Sequence, residues 1–287
     1  MLRIFALLLT VISAMGFAQL AAQQESPKQR PGPFLIYGPV HTIRDERATF
    51  KSENGTLVEG PKVLVQTIEY DEEGTKQDRT SYESNGNIGY RSVERYEPDG
   101  RILETSSFQN GKLSSRVVSN YDDQKQLIEE VTYRPDDSVS DRTVFRGHGN
   151  QSETESWSYD PQGNITSQSK SRYDQPSKRS SSITISPSAV VQSLSTVIDN
   201  PDGSREFRTE GSNGEFKRQV FIPIAKGRED RVTYNKDGTI KSTERHVREF
   251  DSYHNLIKDT RSMSKGDSSD FAPVDVTYRT ITYFGKD

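Results

Sequence analysis

One register recurs along this chain: an aromatic residue, a glycine four residues on and a branched apolar residue six residues on. It stands at Tyr82-Gly86-Ile88, Tyr96-Gly100-Ile102, Tyr159-Gly163-Ile165 and Tyr234-Gly238-Ile240, and without the glycine at Tyr121-Leu127, Tyr133-Val139 and Phe250-Leu256. Tyr70-Gly74 opens the series. A spacing repeated in this way builds an array of hairpins. It constrains architecture rather than chemistry, because function resides in sites placed on a fold.

The spacing has a physical reading. Between Tyr96 and Ile102 lie Glu97, Pro98, Asp99, Gly100 and Arg101, which suits a type I turn with proline at its first central position and a left-handed glycine closing a bulged hairpin. Tyr96 and Ile102 then face each other across two strands, a pair worth roughly 0.2–1 kcal/mol. Glycine reaches positive φ without steric cost. Asp137 suits that position as well, whereas Lys125 and His254 suit it poorly.

Aromatic anchors at Tyr70, Tyr82, Tyr96, Phe108, Tyr121, Tyr133, Phe145, Tyr159 and Tyr173 follow in steps of 12 to 14 residues. A strand of about seven residues plus a turn of about five fills each step. The predicted fold is therefore all-β, an antiparallel meander of hairpin repeats forming an extended or curled sheet. Its turns are predicted near Glu73, Asn85, Asp99, Gly111, Gln124, Asp136, His148 and Gln162. No stretch of the mature chain keeps an apolar face at helical period.

Residues 1–18 read as a secretory signal peptide, with Arg3 before the apolar run Ile4 to Val11 and a small-x-small site at Gly16-Phe17-Ala18. The expected mature protein is exported, periplasmic or extracellular, with no membrane span after cleavage near Ala18. Residues 19–33 read as a flexible leader, 34–173 as a first β-repeat block, 174–189 as a Ser/Pro-rich loop or break and 190–287 as a second block, its last strand at 274–284. There is no cysteine, hence no disulfide framework. With 38 basic against 42 acidic residues in interspersed order, the chain has no nucleic-acid footprint. Only 30% of residues are hydrophobic, which predicts a sheet wet on much of both faces with a thin core. Of the 13 Tyr and 12 Phe many stand in register, which speaks against disorder.

Laid out in this way, Tyr70-Asp71-Glu72-Glu73-Gly74, Tyr159-Asp160-Pro161-Gln162-Gly163-Asn164-Ile165 and Phe250-Asp251-Ser252-Tyr253-His254-Asn255-Leu256 resemble the tyrosine-aspartate repeats of RHS-type proteins. The resemblance covers residues 63–173 and, more loosely, 198–260. It implies a β-sheet array of a secreted or surface protein. Large RHS proteins wrap such sheets into a shell around a toxin, for which this chain is too short.

Residues capable of chemistry are scattered. His41, His148, His246 and His254 lack metal-ligand spacing. Thr233 to Glu244 echoes a calcium loop, but a hairpin turn accounts for Asn235-Lys236-Asp237-Gly238 without an ion. Carboxylates gather at turns, as in Asp71-Glu72-Glu73 and Asp122-Asp123, where turn geometry and solubility favour them. No G-x-S-x-G elbow occurs. Trp157, on the same strand face as Tyr159, reads as sheet packing before it reads as a sugar platform. No catalytic residue, metal site or cofactor is expected. The expected function is a non-enzymatic, exported β-repeat protein presenting its sheet to an envelope protein, a glycan or its own copies. The rivals are an exported polysaccharide hydrolase using turn-borne carboxylates, and an accessory or immunity partner of an RHS-type toxin.

Overall fold

The computed structural model describes residues 29–30, 36–147, 153–174 and 176–285. The predicted signal peptide 1–18, most of the leader and the turn near His148 lie outside the described residues. Two short strands, β1 (Gln29–Arg30) and β2 (Ile36–Tyr37), pair antiparallel, so residues 29–30 of the expected leader lie in a strand. There follow β3 (Val40–Glu53), β4 (Thr56–Glu59), β5 (Val63–Tyr70), β6 (Lys76–Tyr82), β7 (Ile88–Tyr96), β8 (Ile102–Gln109) and β9 (Lys112–Tyr121). Next come β10 (Leu127–Tyr133), β11 (Val139–Arg146), β12 (Glu153–Tyr159), β13 (Ile165–Asp174), β14 (Arg179–Ile185) and β15 (Val191–Asp199). The chain continues with β16 (Arg205–Gly211), β17 (Phe216–Ala225), β18 (Arg228–Tyr234), β19 (Ile240–Phe250), β20 (Leu256–Lys265) and β21 (Ala272–Tyr283). No helix occurs among the described residues.

Consecutive strands pair antiparallel and β21 returns to β3, closing an 18-strand barrel from β3 and β5 to β21. Strand β4 pairs only with the tip of β3. Closure satisfies the backbone groups that an open meander would leave at its two edges.

The repeat register is what the hairpins are built on. Tyr82 pairs with Ile88, Tyr96 with Ile102, Tyr121 with Leu127, Tyr133 with Val139, Tyr159 with Ile165, Tyr234 with Ile240 and Phe250 with Leu256. In the turn after Tyr96, Gly100 N–H donates to Glu97 O at 2.8 Å and Glu97 N–H to Arg101 O at 2.8 Å, with Gly100 at φ 89°. Lys125 and His254 occupy the same left-handed position at φ 63° and 67°, as does Asp137 at 61°. The hairpin thus holds residues there that glycine would suit better, because the flanking ladders over-determine the turn.

The expected loop at 174–189 is a correction. Strand β14 runs through it and pairs in full with β13 and β15, so the sheet has no break between the two expected blocks. Ser180, Ser181 and Ser182 are small enough to sit in the ladder beside Ile183 and Ile185; serine content read as a loop signal where it served as a strand surface.

Residues paired across strands share a face of the sheet. One face carries rows such as Ile281-Ile43-Ile68-Arg79-Ser92 and Phe145-Ser156-Ser169-Thr184-Ser193, the latter continuing in hydroxyl contacts such as Ser169 Oγ to Thr184 Oγ1 at 3.0 Å. The opposite face carries arginine and carboxylate partners, among them Arg91 to Asp78 and Arg142 to Glu129, with Trp157 half-buried and Arg146 5.0 Å above its ring. We call these the hydroxyl face and the arginine face. The core is thin: Ile36, Val40, Ile43, Ile68 and Tyr70 are buried together, with Ile281 and Tyr283 packed against them where β21 meets β3. There Arg279 forms a fork with Asp45, Nε to Oδ1 2.7 Å and Nη2 to Oδ2 2.8 Å, both nearly excluded from water.

Candidate functional site: a charged groove across β14 to β19

Strand β16 alternates, and its period of two places Glu206, Arg208 and Glu210 on the arginine face and Phe207 and Thr209 on the other. The register sets Glu206 between Ile198 and Val220, Arg208 between Thr196 and Arg218, and Glu210 between Leu194 and Phe216. Three adjoining cavities follow. One of about 420 Å³ is lined by Arg179, Leu194, Thr196, Ile198 and the β16 charges. The next, of about 410 Å³, shares Glu206, Arg208 and Glu210 and reaches Phe216, Arg218, Asn235 and Lys236. The third, of about 480 Å³, turns over the rim between Phe216, Lys217, Tyr234, Lys236 and Lys241. Together they form one groove running across the strands.

Within it, Arg218 grips Glu206 with both Nε and Nη2, at 2.8 and 3.0 Å, and holds that carboxyl below its ordinary range. Arg208 donates to Glu210. The same guanidiniums cap rings, Arg218 at 4.3 Å from the Tyr234 centroid and Arg208 at 5.7 Å from Phe216. Arg179, Lys217, Lys236 and Lys241 form no ion pair among the described residues, and all four are exposed. Sequence reading missed this groove. Its cations are spread from 179 to 241, and interspersed charge on strands reads as a solvated surface.

The turn carboxylates are engaged in their own turns. Asp136 accepts from Ser138, Asp160 from Asn164, Asp202 from Ser204 and Asp237 from Thr239, through both side chain and backbone N–H, and each is held below the usual carboxylate range by those bonds. The calcium-loop echo at Thr233 to Glu244 is therefore a hairpin, with Asp237 occupied by Thr239 and Asn235 donating to Thr239. Glu130, on the hydroxyl face of β10, behaves oppositely: burial and then the neighbouring Asp141 push its carboxyl up.

The described histidines do not converge. His41 packs on Phe284 at 4.6 Å, His246 lies 3.0 Å from Asp259 and His254 sits in a turn. His148 lies outside the described residues. Among the described residues no group of histidine and carboxylate side chains is arranged to hold a metal.

No protein family model matches this chain, and no curated protein does. Among solved structures it is similar to a porin-like protein from Bacteroides uniformis ATCC 8492, with 8% identity, 85% of this chain and 97% of the other covered, and a TM-score of 0.41. It is also similar to TcdB2-TccC3 without its hypervariable C-terminal region, with 10% identity, 84% of this chain covered and a TM-score of 0.24. A third likeness, to TcdB2-TccC3-Cdc42, has 10% identity and a TM-score of 0.15. The chain spans about a fifth of the length of the two TcdB2-TccC3 chains, 19% and 20%. With TM-scores this low, none of the three bears on what this chain does.

Proposed function

We propose that this chain is an exported, non-enzymatic β-repeat barrel, akin to tyrosine-aspartate repeat proteins, whose wall binds an envelope protein or glycan. The observation that carries this reading is the groove across β14 to β19: it is long and open, its Glu206 and Glu210 are neutralised by Arg218 and Arg208, and its remaining cations form no ion pair among the described residues. General acid catalysis needs a carboxyl whose pKa is raised toward neutrality. In the groove the Arg218 fork instead holds the Glu206 carboxyl below its ordinary range. The test is retention of envelope protein and wall polysaccharide by the mature protein, compared with a variant whose groove cations are replaced. Retention that depends on those cations supports the reading; no retention of either fraction refutes it.

Glu130 favours a second reading, hydrolysis of polysaccharide, since it is a carboxyl raised by burial beside another carboxyl. Release of reducing ends from wall polysaccharide, abolished by Glu130→Gln, would establish that reading in place of the first.

A further inference from the structure

We propose that the groove takes a carboxylate-bearing polysaccharide, a uronic-acid polymer laid across strands β14 to β19. This rests on the binding reading above and names its ligand class. Six strands spaced by about 4.8 Å give the groove a run of about 24 Å, the reach of an extended polymer rather than a small molecule. Arg179, Lys217, Lys236 and Lys241 have no ion pair among the described residues, and of the lining carboxylates only Glu215 is likewise without one, Glu206 and Glu210 being held by Arg218 and Arg208. Lys217, paired with Thr209, faces the other side of the sheet, so three unengaged cations, Arg179, Lys236 and Lys241, stand against one carboxylate and leave two positive charges to be matched by ligand. Gly214 and Gly238 line the central cavity with open space where a side chain would stand, so a bulky ring can lie close to the backbone there.

Two other polyanions fit less well. An extended acidic peptide binds a sheet by adding to a free edge, and β14 to β19 are each paired on both sides. A single-stranded nucleic acid gains affinity by stacking bases on open aromatic faces, whereas Tyr234 and Phe216 are capped by Arg218 and Arg208. A uronate chain needs neither.

Calorimetry and affinity electrophoresis of the mature protein with polygalacturonate test this, with neutral dextran, poly-L-glutamate and oligothymidylate as comparison polymers. The triple variant Arg179→Gln, Lys236→Gln and Lys241→Gln changes only exposed side chains, and its circular dichroism and melting should match wild type. Polygalacturonate should bind, weaken with salt and lose about tenfold in affinity or more in the triple variant, while dextran should not bind. Absence of polygalacturonate binding, undiminished binding by the triple variant, or equal binding of polyglutamate or oligothymidylate overturns the proposal. If polygalacturonate fails while the wild-type protein still retains envelope material through its groove cations, the ligand class alone is wrong. If both fail, the binding reading falls with it.

Discussion

The left-handed glycines separate backbone strain from steric contact, and Gly100 and Gly227 make the sharpest pair. A Cβ built on Gly100 meets nothing within 4 Å, so Gly100→Ala introduces only the cost of an L-residue at φ 89°. That cost is roughly 1–2 kcal/mol. Alanine also narrows the unfolded ensemble, which returns about 0.4–1 kcal/mol, so a net loss of about 1 kcal/mol is expected. Gly227 has φ 75°, but its Cβ would stand 2.5 Å from Arg248 O, the carbonyl of a residue whose N–H already donates to Gly227 O. Backbone cannot yield as a side chain can, so overpacking of about 1–3 kcal/mol adds to the strain in Gly227→Ala. Gly100→Asn should be milder than Gly100→Ala, since asparagine visits the left-handed region. Urea unfolding gives the totals, and hydrogen exchange gives their location: loss of protection around Tyr96 and Ile102 for Gly100→Ala, and around β17 to β19 for Gly227→Ala. Equal losses from the two alanine variants, or no loss from Gly100→Ala, would refute the assignment of the turn geometry.

Three further outcomes are expected. Arg279→Met removes the cation from buried Asp45 where β21 closes on β3 and leaves it only the Gln66 amide as a side-chain donor, and should destabilise by about 3–5 kcal/mol, whereas the double variant Arg279→Met with Asp45→Leu should recover most of the loss; denaturation midpoints decide. Asn255→Ala removes side-chain bonds to Tyr37 N–H, Tyr37 O and Tyr283 Oη from a site with no exposure, which should cost about 2–4 kcal/mol and expose Ile36 and Tyr37 to protease. The Lys125 ammonium, with help from Arg101, draws the Asp99 carboxyl down to about 2, so its contribution to stability is present above the unfolded value near 4 and is lost as pH falls from there through 2; an NMR titration of Asp99 that does not move upward in Lys125→Met would show that the ion pair is not the cause.

The sequence alone determined the hairpin. Each turn is set by residues within about six positions of one another, so the register from Tyr96 to Ile102, the strand lengths and the antiparallel order are written in local chemistry. Serine misled at 174–189 because it is common in loops, while in β14 its small side chain fits a tightly paired strand. The site was illegible for a related reason. Arg179, Lys236 and Lys241 come to line one groove only when β14 to β19 are stacked, and along the chain each is one charge among many. Closure itself belongs to the tertiary structure. The pairing of β21 with β3 and the Asp45 to Arg279 fork join residues 234 positions apart, and no local spacing encodes them. They follow from the summed twist and curl of all the intervening hairpins, which brings the two edges together only when the whole sheet has formed.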